Sequence, residues 1–311
     1  MRRRLFYCDQ HAIALPPGHK FPTAKYALLR AMLEADGLYD LVPADLADAA
    51  DIELAHDAEY VRAILDGTVD ARMMRRIGFP WSEQLVRRTR ASVGGTLAAA
   101  ADAMATGFGG NLAGGTHHAF RAEGSGFCVF NDLAVAILVL RRECDVRRAA
   151  VVDLDVHQGD GTASIFEHDE EVLTISIHGE RNFPFRKQRS RIDIGLRDGT
   201  GDEEYLGRLR EALPAAGEFA PDVVLYQSGV DGLRGDRLGR LGLTMEGLAE
   251  RDRMVFEFMR SLGVPVVVTL GGGYAEPITL TAEAHANTFR TAGRVFSRSA
   301  TFDSPSASTE V

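Results

Sequence analysis

Four short segments hold the side chains with the most chemical potential. In Val151-Val152-Asp153-Leu154-Asp155-Val156-His157-Gln158-Gly159-Asp160-Gly161, ionisable groups leave an apolar strand. A strand's period of two puts Asp153, Asp155 and His157 on one side of the chain for as long as the extended geometry lasts. Two carboxylates and an imidazole are costly to bury without compensation. A divalent cation compensates them, and Asp155 and His157 offer the oxygen and nitrogen donors that suit Zn²⁺. The competing reading is a solvated strand exit with a hydrogen-bonded histidine.

The second segment, Gly114-Gly115-Thr116-His117-His118-Ala119, carries adjacent histidines. They read as two ligands, as an acid/base couple, or as surface residues. A catalytic role needs orienting carboxylates, and Asp153 and Asp160 are available. In the third, Tyr226-Gln227-Ser228-Gly229-Val230-Asp231-Gly232, Asp231 either completes a two-Asp, one-His shell or caps a turn. The fourth, Gly271-Gly272-Gly273-Tyr274, lacks the lysine and hydroxyl of a phosphate loop and instead presents a phenol. Together the four suit a metallohydrolase. An open metal site activates water and polarises a carbonyl, a histidine takes the proton, and a tyrosine stabilises the oxyanion. No G-x-S-x-G elbow supports a serine nucleophile, and no G-x-G-x-x-G opens a β-α-β unit.

These segments need rigid elements to position them. Near-continuous apolar runs at Ala149–Asp155, Val172–Ile177, Asp222–Tyr226 and Val264–Leu270 predict strands covered on both faces. Leu5–Cys8, after Arg2–Arg4, predicts a first strand. Helical patterns cover Ala24–Glu34, His56–Leu65, Glu83–Met104 (interrupted by Gly94-Gly95), Leu133–Leu140 capped by Asn131 or Asp132, Gly201–Leu213, Thr244–Leu262 and Thr279–Arg290. The expected fold is α/β: one domain over residues 1–311, with a largely parallel central sheet flanked by helices. Ser297–Val311 reads as a frayed tail. Many of the 32 glycines gather at predicted strand exits, where ligands of parallel α/β folds sit and backbone must approach them closely.

Composition bounds the partners. Asp and Glu number 44 against 35 Lys and Arg, a net charge of −9 that argues against a general nucleic-acid binder. No apolar run of about 20 residues is present to span a membrane. Cys8, Cys128 and Cys144 form neither a disulfide framework nor a thiolate metal pattern. The expected compartment is the cytoplasm.

With those residues in view, the chain resembles the zinc-dependent histone deacetylase superfamily, of arginase-like fold. The matching blocks are Gly114–Phe120, Gly126–Asp132, Val152–Gly161, Leu173–His178, Gln227–Asp236 and Gly271–Tyr274. Gly18–Tyr26 and Phe79–Ser82 look most like the class IV-type and bacterial deacetylase group. The resemblance implies Asp155, His157 and Asp231 as zinc ligands. It makes His118, paired with Asp160, the general base and later acid; His117, paired with Asp153, an electrostatic helper; and Tyr274 the donor that polarises the carbonyl. It places Gly126, Phe127 and Phe183 along a channel for an acyl-lysine, with Leu238 near its floor. It also implies a structural potassium ion held by Asp153, Asp155, His157, Ser176 and Ile177, partly through carbonyls. Thr116 stands where many eukaryotic relatives carry tryptophan, which widens or polarises the inner cavity. Cys128 is expected to pack near that cavity without reacting. The implied reaction releases a carboxylate and an amine from an acyl-lysine; small acylated amines such as acetylpolyamines, or non-catalytic acyl-lysine binding, are the alternatives.

Overall fold

The computed structural model describes residues 2–297. Of the tail expected from Ser297 onward, all but Ser297 therefore lies outside the described residues. Eight strands alternate with ten helices. The strands are β1 (Arg4–Tyr7), β2 (Asp40–Pro43), β3 (Phe108–Asn111), β4 (Ala149–Asp153), β5 (Val172–Gly179), β6 (Ile192–Leu196), β7 (Val223–Gln227) and β8 (Val266–Thr269). The helices are α1 (Ala24–Asp36), α2 (Ala49–Ala55), α3 (Ala58–Asp66), α4 (Ala71–Ile77), α5 (Glu83–Thr106), α6 (Asp132–Glu143), α7 (Asp160–Ile165), α8 (Asp202–Phe219), α9 (Met245–Ser261) and α10 (Ile278–Phe296).

The strands form one sheet in the order β2-β1-β3-β8-β7-β4-β5-β6. Every neighbouring pair is parallel, so the sheet expected to be largely parallel is wholly so. Alternate residues of each central strand enter opposite cores. Val152, Val224, Val266 and Val268 pack toward α1, α8, α9 and α10. Val151, Leu225 and Val267 pack toward α2, α3, α5 and α6. Each such buried aliphatic side chain contributes roughly 1.5–3 kcal/mol, which explains the continuous apolar runs of these strands. Among the described residues, no helix is long and apolar enough to cross a membrane.

Several elements differ from the sequence reading, each for a local reason. Helix α5 runs unbroken through Gly94-Gly95 because those glycines are contact points. A Cβ on Gly94 would lie 2.0 Å from the Asp45 carbonyl oxygen, and one on Gly95 2.6 Å from Asn111 Oδ1. Facing them, Gly109 of β3 would place a Cβ 1.8 Å from the Ala99 carbonyl oxygen. Close packing of helix on strand thus demands glycine on both sides, and it disguises β3, whose sequence Phe-Gly-Gly-Asn has no β-branched residue. Helix α8 continues past Pro214 to Phe219 because Ala216 beyond it is fully buried, and that packing outweighs the lost hydrogen bond. Asn131 caps α6 by accepting from the Ala134 N–H, which frees Asp132 for another task.

Candidate metal centre and active site

The strand exits converge at the carboxyl end of the sheet. β4 ends at Asp153, so Asp155 and His157 lie in the loop beyond it. The expected strand alternation stops two residues early, yet the three side chains still meet. Asp153 and Asp155 are turned inward by the chain itself: the Asp155 N–H donates to Asp153 Oδ1 at 3.2 Å and the His157 N–H to Asp155 Oδ1 at 2.9 Å. β7 delivers Asp231, whose Oδ1 accepts from the Val156 N–H at 2.9 Å.

Asp155 Oδ1 and Asp231 Oδ2 each stand 3.0 Å from His157 Nδ1. The relative exposures of Asp155, His157 and Asp231 are 1%, 8% and 0%. One ligand atom from each lies within 4.8 Å of the others. Two buried carboxylates facing one imidazole nitrogen form a donor set of two oxygens and one nitrogen, with no lysine or arginine ion-paired to it among the described residues. That set fits a three-ligand zinc site with a position left for a reacting group. Without a cation the imidazole takes up the charge. Burial opposes this, but Asp231 and Asp155 outweigh it and raise the His157 pKa to about 10. Burial and the Asp155 carboxylate push Asp231 up to about 6.

Glycine lets the backbone press on this set. The Gly272 N–H donates to Asp155 Oδ2 at 2.7 Å. A Cβ on Gly229 would fall 2.1 Å from Asp155 Oδ2, and one on Gly272 would fall 1.8 Å from Asp231 Oδ2. On Gly159 it would fall 2.3 Å from Asp153 Oδ2. These strand-exit glycines therefore mark close approach of backbone to carboxylate.

The histidine pair sits beside the donor set, its rings 4.1 Å apart. His117 Nδ1 is 2.7 Å from Asp153 Oδ2 and His118 Nδ1 is 2.6 Å from Asp160 Oδ1. Both couples are buried. Their pKa values diverge. Burial opposes charge on His117, but Asp153 and Asp155 together raise it to about 9. Burial and the neighbouring His117 lower His118 to about 4, despite Asp160. The Gly114-Gly115 turn that launches the pair has φ of +77° and +72°. Asp132 holds it there, accepting from the Gly115 and Thr116 N–H groups at 3.1 and 2.7 Å.

Tyr274 closes the opposite side, its ring centroid 6.4 Å from that of His157. Its N–H donates to Asp236 Oδ2 at 2.6 Å, while its hydroxyl makes no hydrogen bond to any described residue. A cavity of about 70 Å³ is lined by Thr116, His117, His118, Gly126, Phe127, Cys128, Asp155, His157 and Tyr274, and extends to Tyr26 and Arg88. Cys128 is buried there and burial pushes its thiol pKa up, so it packs as a neutral thiol. Phe183 and Leu238, expected along the channel and at its floor, do not line this cavity. Phe183 stands edge-on to His118 at 4.9 Å. The Leu238 carbonyl accepts from Asn182 Nδ2 at 2.7 Å, on the same outer loop. Asp153 pairs with Ser176 in the β4–β5 register, with Ile177 next along the strand. Ser176 Oγ lies 2.9 Å from His178 Nδ1.

Three positioning residues carried no role in the sequence reading. Arg251, wholly buried in α9, donates to the carbonyls of Gly229, Ser228 and Leu154 at 2.6, 3.2 and 3.3 Å. It thereby ties the exits of β4 and β7 together behind the ligands. Lys25, 1% exposed, donates to the Gly271 carbonyl at 3.0 Å and lies 5.6 Å from the Tyr274 ring centroid. Gln227 Nε2 donates to Asp155 Oδ2 at 3.2 Å and its Oε1 accepts from the Gly229 N–H at 2.9 Å. Gln227 belonged to a quoted motif. Lys25 also lay in a quoted block, Gly18–Tyr26, without a role of its own, whereas Arg251 looked like an ordinary charge on an amphipathic helix and no sequence signal singled it out.

The family model described as histone deacetylase domain matches residues 19–291. An uncharacterized protein of Picosynechococcus sp. is 43% identical over 93% of this chain and 98% of its own length. Histone deacetylase 2 of Arabidopsis thaliana is 31% identical over 82% of this chain and 70% of its own. The crystal structure of acetylpolyamine aminohydrolase from Burkholderia pseudomallei superposes with a TM-score of 0.80 at 22% identity, covering 94% of this chain and 99% of that one.

Proposed function

The chain belongs to the histone deacetylase family, and we propose that it is a zinc-dependent amidohydrolase that removes acetyl or other short acyl groups from lysine side chains. The observation that carries this reading is the buried Asp155–His157–Asp231 donor set beside two oppositely tuned His–Asp couples, opening on a cavity that reaches Tyr274. A zinc ion held by those three ligands supplies Lewis acidity toward an amide carbonyl and acidifies a water.

The chain's own residues supply the rest. His118 Nδ1–H donates to Asp160, which leaves the Nε2 lone pair free, and the lowered pKa keeps the ring unprotonated at neutral pH. Nε2 accepts the proton as water oxygen bonds to the amide carbon. It returns that proton to the amine nitrogen as the C–N bond breaks, so the products are a carboxylate and an amine. His117, whose charged form Asp153 favours, lies beside the donor set and gives electrostatic help to the developing oxyanion. The Tyr274 hydroxyl, which makes no hydrogen bond to any described residue, donates to that oxygen. The cavity of about 70 Å³ suits a short acyl group. A structural potassium ion held by Asp153, Asp155, His157, Ser176 and Ile177, partly through carbonyls, is part of the same proposal; Asp153 and Ser176 are neighbours in the β4–β5 register.

The test is turnover of acetyl-lysine peptides by zinc-loaded protein. Activity should vanish on chelation and return with zinc. Tyr274→Phe should cut kcat by about 10²–10³ while the zinc stoichiometry stays at one per chain. An inactive zinc-loaded protein, or a Tyr274→Phe variant with undiminished kcat, would refute the mechanism.

A further inference from the structure

A loop that touches this site carries a charge opposite in sign to the rest of the molecule. The net charge is −9, yet the segment Gly179-Glu180-Arg181-Asn182-Phe183-Pro184-Phe185-Arg186-Lys187-Gln188-Arg189-Ser190-Arg191 holds five cations against one acid. Phe183 anchors that segment to the site through its edge contact with His118 at 4.9 Å. Phe185 packs on Phe183 at 6.3 Å and is 88% exposed. The loop between them is folded on itself, since Lys187 Nζ donates to the carbonyls of Asn182 and Pro184 at 2.5 and 2.7 Å.

Arg181 and Arg186, on either side of the two phenylalanines, are exposed and make no hydrogen bond or ion pair with any described residue. His19 lies 5.8 Å from the ring of Phe127, which lines the cavity, and Lys20 beside it is exposed and makes no hydrogen bond or ion pair with any described residue. The nearby acids are mostly neutralised. Glu123 pairs with Arg76 at 2.5 Å and Glu276 with Arg237 at 3.5 Å. Asp236 accepts from the N–H groups of Leu238, Gly239 and Tyr274. Glu180 is the one acid within the 179–191 segment itself. At about 3.8 Å per Cα step, Arg186 lies no more than about 11 Å along the chain from Phe183. That is near the Debye length of roughly 8–10 Å at ordinary salt, so the loop's charge is felt around Phe183 at low salt and weakens as salt rises.

We infer that this basic, phenylalanine-tipped rim selects acyl-lysines presented among acidic residues and disfavours free polycationic acylamines. The inference rests on the deacylase reading for its chemistry, but the recognition it describes is measurable without turnover. A peptide with Asp or Glu flanking the acyl-lysine sets its carboxylates against Arg181 and Arg186, while Phe185 covers its apolar stem. An acetylated polyamine brings its remaining ammonium groups to the same cations.

The experiment compares acetyl-lysine peptides that are identical except for acidic, neutral or basic flanking residues, together with N-acetylspermidine. It measures kcat and KM of zinc-loaded protein, and fluorescence-anisotropy binding of the labelled peptides. The acidic peptide should exceed the basic one by about tenfold in kcat/KM, carried by KM, the size expected of a few screened rim pairs. Roughly half-molar salt should collapse the ratio. Arg181→Gln with Arg186→Gln should flatten it, and Arg181→Glu with Arg186→Glu should invert it. A ratio near one at low salt, a ratio unmoved in both double variants, or acetylspermidine preferred over the neutral peptide would each overturn the inference. Absence of turnover on every substrate would remove the deacylase reading instead, and the binding ratio would still decide for or against the rim.

Discussion

Gly272→Ala is the sharpest test of how this site is built. The added methyl would lie 1.8 Å from Asp231 Oδ2 and 2.9 Å from Asp155 Oδ2, where ordinary contact begins near 3.4 Å. The shortfall at Asp231 is about 1.6 Å, far beyond what small bond-angle changes absorb. Backbone conformation is not the obstacle, because Gly272, unlike Gly271 and Gly273, does not lie in the left-handed region. Relief therefore requires either the carboxylate or the hinge to move. Moving Asp231 takes it from His157 Nδ1 and from the Val156 N–H. Moving the hinge withdraws the Gly272 N–H from Asp155 and displaces Tyr274. Either response spoils one member of a three-residue donor set, so zinc affinity should fall by about 100-fold or more. Overpacking should cost the apoprotein only about 1–3 kcal/mol. Gly207→Ala is the matched control. It lies within α8 with nothing within 4 Å of the new Cβ, and it should stabilise the fold by about 0.5–1 kcal/mol with zinc binding unchanged. Chelator-competition titration gives the zinc Kd, and urea unfolding of the apoproteins gives the stability. A Gly272→Ala protein that binds zinc with wild-type affinity would refute the close-approach reasoning, whatever happened to turnover.

Two further outcomes follow from buried charge. His56 accepts the Asn131 N–H at Nε2 (2.8 Å) and lies 3.3 Å from the Arg121 carbonyl through Nδ1; burial lowers its pKa from 6.5 to about 4. The unfolded chain then binds the proton first, so stability is full above about pH 6.5 and falls as pH drops toward 4, by at most about 3 kcal/mol. His56→Gln should show a flatter pH dependence of the urea midpoint, and an equal slope in both proteins would exclude the assignment. Arg251→Met removes the buried cation that donates to the Leu154, Ser228 and Gly229 carbonyls and pairs with Asp252, which keeps only the hydroxyls of Tyr226 and Thr288 as donors besides. It should cost about 3–5 kcal/mol in denaturant unfolding, and a loss below about 1 kcal/mol would mean that the strand exits hold without it.

The sequence by itself determined the sheet's central strands, the site motifs and their order along the chain. Buried parallel strands must be continuously apolar, and a metallohydrolase site must draw its acids and imidazoles from strand exits. The run from Val151 to Gly161 shows both demands in one segment. Edge strands β2 and β6 escaped that logic because their residues are partly exposed. β3 escaped it because helix contact had replaced its side chains with glycine. What only the tertiary structure decided is which carboxylate serves which imidazole, and with what charge. His117 and His118 are adjacent and chemically identical, and spacing alone left them open as ligands, acid/base groups or surface residues. Both are equally buried, but His117 faces the Asp153 and Asp155 carboxylates while His118 faces Asp160 and His117 itself, which sends one pKa up to about 9 and the other down to about 4. The same holds for Arg251 and Lys25, whose helices read as ordinary amphipathic faces. An ionic side chain's role depends on distances across the fold, through desolvation and Coulomb interaction, and neither is written in its neighbours along the chain.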